Sequence, residues 1–181
     1  MKYQNLDSYQ TPQGFRGRSK VSVQLWWIVQ ATLFRLSPQM LYGWRRFLLR
    51  SFGATIGKDE IIRPSAQITY PWKLTIGDYS WIGDEVVLYT LGEIQIGAHA
   101  VISQRSYICT GTHDYASEDF RIYAKKINIG DKCWLATDVY VAPGCTIGEG
   151  TVVGARSSVF KDLPPQKICI GNPAKPLRDR V

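Results

Sequence analysis

Histidine is almost missing from this chain: 181 residues carry only His99 and His113. A zinc centre of three histidines is therefore excluded within one chain, and copies would have to pool ligands. Cysteine is sparse as well. Cys109, Cys133, Cys145 and Cys169 are scattered, with no C-x-x-C pair and no zinc-ligand spacing. The pattern fits free thiols in a reducing cytoplasm, and no metal is expected. The opening MKYQNLDSYQTPQ is polar and lacks the apolar core of a signal peptide. The longest stretch without charge, residues 21–34, holds 14 residues. As a helix it spans about 21 Å, short of the roughly 30 Å hydrocarbon core of a bilayer, so a spanning helix is not expected.

Acid is missing from the front of the chain. Residues 1–50 hold Lys2, Arg16, Arg18, Lys20, Arg35, Arg45, Arg46 and Arg50 against Asp7 alone, so the whole net charge of +7 lies there. A basic arm on a neutral body suits an anionic surface touched at one end, phospholipid or nucleic acid. The same segment reads as two apolar helical stretches bearing cations. Its Trp26, Trp27 and Trp44 suit a bilayer interface, which favours membrane-surface contact through residues 16–50 over nucleic acid. The competing reading is that these helices cap the end of a repeat structure, because stacked repeats need caps.

What the chain does have is a repeat. Ile-Gly pairs recur at Ile56, Ile76, Ile82, Ile96, Ile129 and Ile147, and aliphatic residues fall at every sixth position. The runs are Ile56, Ile62, Ile68; Ile76, Ile82, Leu88; Ile96, Ile102, Ile108; and Ile129, Leu135, Val141, Ile147, Val153, Val159. A period of six fits neither an amphipathic helix nor a simple strand. It fits a coil of three short flat faces, each hexad turning one aliphatic side chain inward, with the small residue after it bending the chain at a corner. Stacked coils make a solenoid. The step lengthens to eight after Ile68 and after Leu88, and to 21 after Ile108. All three irregularities fall at one corner of the triangle, so residues 109–128 are expected to leave the coil as a loop with His113 at its root. The domain reading is an N-terminal basic and apolar helical segment over 1–52, a β-helix over 53–163, and a tail over 164–181. Pro164, Pro165 and Pro173 suggest that the tail leaves the coil without adding a strand.

The hexads, TGTHDY at 110–115, KCWLATDVYVAPGCTIGEGTVVGARSSV at 132–159 and IGNPAK at 170–175 together resemble the left-handed parallel β-helix acyltransferases, the hexapeptide-repeat enzymes. Over residues 50–178 the likeness is to the galactoside and maltose O-acetyltransferases. The THDY form of the loop and the apolar N-terminus look more like the acetyltransferases of colanic-acid and other exopolysaccharide clusters. The resemblance implies a mainly β, left-handed, three-sided helix, a homotrimer with active sites between subunits, and transfer of acetyl from acetyl-CoA to a sugar hydroxyl. It implies a cytoplasmic enzyme, peripheral at the inner face of the cell membrane if the N-terminal segment touches lipid.

Residue by residue, the resemblance makes His113 the general base. Histidine is suited to the task because its ordinary pKa, about 6.5, leaves it neutral enough to take a hydroxyl proton. Trp134 matches the aromatic beside the pantetheine arm, Thr137 the backbone N–H facing the thioester oxygen, and Ala155 a backbone contact to pantetheine. Lys161, Lys175 and Arg178 lie where a charged nucleotide tail wants cations. Asp114 is expected to hold the loop or bind the acceptor. The simple-sugar enzymes carry Asn and Asp in the coil before the loop. Here GDEVVLYTLGEI, 83–94, offers Glu85 and Thr90 instead, which argues against free galactosides or maltose. Tyr115, Tyr89, Tyr107 and Trp81 are candidates for stacking on sugar faces. Two other readings remain open: N-acetylation of an amino-sugar nucleotide or another small amine, and a non-catalytic β-helix scaffold.

Overall fold

The computed structural model describes residues 3–181, so Lys2 of the basic arm lies outside the described residues. From residue 55 onward the chain winds as a three-sided parallel β-solenoid. The first face is built from β1 (Thr55–Ile56), β4 (Leu74–Ile76), β7 (Ile94–Ile96), β12 (Ile127–Ile129) and β15 (Thr146–Ile147). The second holds β2 (Ile61–Ile62), β5 (Trp81–Ile82), β8 (Val101–Ile102), β13 (Trp134–Leu135), β16 (Val152–Val153) and β18 (Lys167–Gly171), with β19 (Ala174–Asp179) folded back on its edge. The third holds β3 (Gln67–Ile68), β6 (Val87–Tyr89), β9 (Tyr107–Cys109), β14 (Tyr140–Val141) and β17 (Ser158–Val159).

The six-residue step is the register of this stack. Ile56, Ile76, Ile96, Ile129 and Ile147 are successive partners on the first face. On the second, Ile62, Ile82, Ile102, Leu135, Val153 and Cys169 align. All fifteen hexad aliphatics point inward and none is more than 8% exposed.

Two expectations about the coil need correction. The glycine after each inward aliphatic does not take a left-handed backbone: Gly57, Gly77, Gly83, Gly97 and Gly130 are absent from the positive-φ set. It is small because the next coil passes close by. A Cβ on Gly77 would sit 2.5 Å from the Ala98 backbone nitrogen. The left-handed turn lies two residues later and falls on side-chain-bearing residues such as Tyr79, Glu85, His99 and Arg105, with φ of 55–58°. The tail also behaves differently. Leu163 bridges Ile147 in parallel, β18 pairs in parallel with β16, and β19 returns antiparallel along β18. Pro164 and Pro165 therefore precede a further partial coil, which they permit because the missing amides lie between strands rather than within one.

Each coil's amides donate upward, as Gly57 does to Ile76 and Gly77 to Ile96, so the first coil is left with carbonyls facing outward at the solenoid's end. An end of bare carbonyls calls for donors, and the N-terminal segment supplies them. Helix α1 (Lys20–Val29) starts at the Ser19 cap and runs into a π-helical turn, Gln30–Phe34; α2 spans Tyr42–Ser51. Trp26 Nε1 donates to Ile68 O at 2.8 Å, Arg45 Nε to Ile62 O at 2.6 Å, Arg46 Nη1 to Glu60 O at 2.9 Å and Arg50 Nε to Ile56 O at 3.1 Å. Trp26, Phe34, Leu48 and Leu49 join the solenoid core. The segment is thus a cap, and three of its arginines serve the fold rather than an outside anion.

Candidate active site

The 109–128 excursion is more ordered than a loop. After β9 the chain forms an antiparallel hairpin, β10 (Gly111–His113) with β11 (Ile122–Ala124), in which His113 pairs with Ile122. His113 therefore sits at the far end of the first hairpin strand, next to the tip, and not at the root. The motif TGTH explains the local shape. Buried Thr110 pins the base: its Oγ1 donates to Tyr89 O at 2.6 Å and accepts from Gly92 N at 2.8 Å, and its carbonyl accepts from Lys125 N at 2.9 Å. Gly111 must lack a side chain, because a Cβ there would lie 2.6 Å from Leu91 Cδ1.

His113 is half-buried. Its Nδ1 lies 2.8 Å from Phe120 O. A carbonyl oxygen can only accept, so the assigned tautomer carries hydrogen on Nδ1 and a lone pair on Nε2. The Phe120 ring stacks on the imidazole at 4.2 Å and 9°. Phe120 holds φ at +46°, a strained conformation for a bulky residue. Tyr9 approaches the other side of the imidazole, with ring centroids 6.1 Å apart. Neither Phe120 nor Tyr9 was visible as a site residue in the sequence; no spacing or motif marks a phenylalanine that must turn left-handed.

Asp114 is occupied within the hairpin. Its Oδ1 accepts from Ala116 N at 3.1 Å and its Oδ2 faces Arg121 Nε at 3.9 Å, so it shapes the tip. Tyr115 stands beside it, 86% exposed. Thr90 is buried, with its hydroxyl bonded both ways to the Tyr70 backbone, and serves the coil corner. Tyr107 and Tyr140 pack in the row Tyr89–Tyr107–Tyr140–Phe160, and burial pushes both phenols up to about 12.

The remaining residues lie elsewhere on the prism. Trp134 projects from the second face, its Nε1 donating to Ser103 Oγ at 3.0 Å. It heads a row of register partners, Trp134, Val152, Ile168 and Arg178. Thr137 and Ala155 follow that face on the edge it shares with the third, one coil apart, with Arg156 N donating to Thr137 O at 2.9 Å. Among the described residues the Thr137 amide donates to no backbone acceptor. Glu85 occupies the same edge lower down, and its amide donates to Ser65 Oγ. Lys175 is exposed on β19. Lys161 follows β17 on the edge between the third and first faces, the hairpin's edge. His113, Asp114, Tyr115 and Lys161 thus share one edge, while Trp134, Thr137, Ala155, Glu85 and Arg178 occupy the opposite face and its far edge. Among the described residues no group of three His, Cys, Asp or Glu could hold a metal ion, and no helix is long and apolar enough to cross a membrane.

Comparison with known proteins bears on the family and the fold. Residues 126–161 match the family described as bacterial transferase hexapeptide (six repeats). The chain is 67% identical over 178 residues, 98% of both chains, to the "Putative colanic acid biosynthesis acetyltransferase WcaF" of Escherichia coli K12. It is 27% identical to the galactoside O-acetyltransferase of the same organism, over 75% of this chain and 68% of that one. A hexapeptide-repeat acetyltransferase of Vibrio cholerae O1 biovar eltor, VCA0836, solved with acetyl coenzyme A, superposes with a TM-score of 0.81 at 25% identity, covering 90% and 88% of the two chains. On this evidence the chain belongs to the bacterial hexapeptide-repeat transferase family, among its acetyltransferases.

Proposed function

We propose that the protein moves an acetyl group from acetyl-CoA to a sugar hydroxyl in the assembly of an exopolysaccharide of the colanic-acid kind. What supports a base is the His113 arrangement: Nδ1 is committed to Phe120 O at 2.8 Å, so the free lone pair is on Nε2. That nitrogen takes the hydroxyl proton as the acceptor oxygen bonds to the acyl carbon and the thiolate leaves. What supports a donor groove is the register row on the second face. Trp134, Val152 and Ile168 give a narrow apolar track, and the row ends at Arg178. Three rungs at about 4.8 Å each make a path of roughly 14 Å, which suits a pantetheine arm leading to phosphate. Thr137 N–H is a free donor beside Trp134 for the developing oxyanion, Ala155 lets the arm approach, and Lys175 and Lys161 add cations for the nucleotide.

Base and groove lie on opposite sides of one prism, so the reading requires a second copy. A homotrimer brings the hairpin edge of one subunit to the second face of its neighbour. Glu85 and Tyr115 then meet the saccharide from the two partners, with Asp114 holding the hairpin tip. Peripheral contact with the inner face of the cell membrane, from the cytoplasm, is supported by the exposed apolar residues of the N-terminal cap, Val21, Leu25 and Ile28, and by Arg16, Arg18 and Lys20 beside them. The test is thiol release from acetyl-CoA across a panel of free, nucleotide-linked and lipid-linked saccharides, with His113→Ala as control. Acceptor-dependent release that the substitution abolishes is the expected result. Absence of release with every saccharide overturns the proposal.

A further inference from the structure

The capping helix α1 has two unlike faces. Val23 and Trp26, and beyond them Phe34, are fully buried against the solenoid. On the opposite side Val21, Leu25 and Ile28 are 76%, 52% and 61% exposed. The stripe runs on through the π-helical turn, where Leu33 is 52% exposed. There Trp44 Nε1 donates to Leu33 O at 3.0 Å, and the Trp44 ring stacks on Phe47 at 5.7 Å. Phe47 is itself 56% exposed. This is one continuous apolar strip, and nothing within the described chain covers it.

At the head of the strip is a concavity of about 450 Å³ lined by residues 11–16, Arg18 and Lys20. Lys20 belongs to both features, since it also borders the apolar hollow of Val21, Gln24, Leu25 and Ile28. Arg16, Arg18 and Lys20 bring three positive charges to the start of a helix, the end whose dipole favours anions, and no acid stands in its first turn. Among the described residues no carboxylate lies within ion-pair distance of any of the three. Arg18 lies over the Trp72 ring, 5.2 Å from its centroid; none of the three gains from the helix dipole, and an anion in the concavity would pair them.

We infer that this end of the protein is a seat for anionic phospholipid: Arg16, Arg18 and Lys20 take the headgroup phosphates, and Val21, Leu25 and Ile28 enter the acyl boundary. A second copy meeting the strip by a two-fold contact would set three cations against three more, and the three-fold contact proposed above uses the hairpin edge and the second face, not the exposed face of α1. The inference deepens the membrane contact included in the proposed function and does not depend on the acyl-transfer chemistry. It also fixes an orientation. Residues 5–18 run along the hairpin edge, with Asn5 N on Glu118 O, Tyr9 beside His113, and Trp72 Nε1 on Arg16 O. His113 and the headgroup seat therefore lie on one edge, and their coils are two rungs, about 10 Å, apart.

The test is sedimentation of the full chain with vesicles of phosphatidylcholine alone and of phosphatidylcholine mixed with phosphatidylglycerol. Binding to the anionic vesicles alone is expected, weakening as salt is raised. Arg16→Gln with Lys20→Gln should weaken it about fivefold per charge removed, and Leu25→Ser with Ile28→Ser should abolish it. Both double variants should keep the wild-type melting temperature and acceptor-dependent thiol release. The inference fails if anionic vesicles are not bound, or are bound equally by both variants. It also fails if Leu25→Ser with Ile28→Ser dissociates the assembly in light scattering but leaves vesicle binding intact, which would assign the strip to a second copy.

Discussion

Arg45 is a cation shut away from solvent, and among the described residues no carboxylate lies within ion-pair distance of it. Its side chain is fully buried, and desolvation lowers the pKa of the guanidinium from its ordinary value. It is held by oxygen dipoles and one aromatic face: Nε donates to Ile62 O at 2.6 Å, Nη1 to Ser37 Oγ at 2.7 Å and Pro38 O at 3.0 Å, Nη2 to Gln39 O at 2.5 Å, and the guanidinium lies 5.0 Å from the centroid of the Tyr42 ring. Arg45→Met keeps the stem and removes every donor. Pro38 and Gln39 are exposed, so their carbonyls rehydrate. Ile62 is fully buried, so its carbonyl stays orphaned, at about 1–3 kcal/mol. Adding the lost charge-assisted bonds and crediting the relieved desolvation leaves a net loss of about 3 kcal/mol. For a chain of this size that lowers Tm by about 6–12 °C. The assay is thermal unfolding followed by circular dichroism at one fixed protein concentration, because assembly also shifts Tm. Arg50→Met, on the exposed rim, should cost less than about 1 kcal/mol. If Arg45→Met unfolds within about 2 °C of wild type, the first coil's carbonyls do not need the cap's donors and that account of the basic residues is wrong.

Three more outcomes are expected. His113→Ala should lower kcat by about 10²–10⁴-fold with little change in donor KM, and steady-state thiol release with acetyl-CoA and a saccharide acceptor reads both. Arg178→Ala should raise donor KM about tenfold and leave kcat near wild type, the loss of one charge-assisted phosphate contact; an unchanged KM removes Arg178 from the donor groove. Glu60 is fully buried, and neither of its carboxylate oxygens finds a hydrogen bond. Desolvation raises its pKa, so the folded state holds the proton to higher pH than the unfolded chain. Its unfavourable contribution therefore grows as pH rises above the ordinary carboxylate range. Glu60→Gln should be more stable than wild type at neutral pH, with the gap closing towards pH about 4, measured as the difference in Tm.

The solenoid was readable because its inward residues recur at a fixed step that leaves a one-dimensional trace: Ile56, Ile76 and Ile96 announce three coils without knowledge of any contact. The corner chemistry was not readable. Proximity of the next coil, not backbone angle, restricts Gly77, and the left-handed turns fall on Tyr79 and Glu85, which no propensity would choose. The cap was legible as helices, but its arginines looked like free charge until the direction of the first coil's carbonyls was known. Of the site, His113 stood out through its motif. Phe120 did not, because its role depends on a backbone reversal at the hairpin tip that only the fold imposes.

The lengthened steps after Ile68, Leu88 and Ile108 open the same corner of every coil in which they occur, and the one shortened step, from Val159 to Leu163, falls there too. Chain length along that line is therefore decoupled from the alignment of the three walls. A foreign peptide grafted there, between the exposed residues Phe160 and Lys161 for instance, should be carried as an outward branch. The same graft between Gly83 and Asp84 would push apart coils that have no spare space. The scaffold thus contains its own seam for acquiring new recognition elements, and the hairpin bearing His113 shows what one such acquisition looks like.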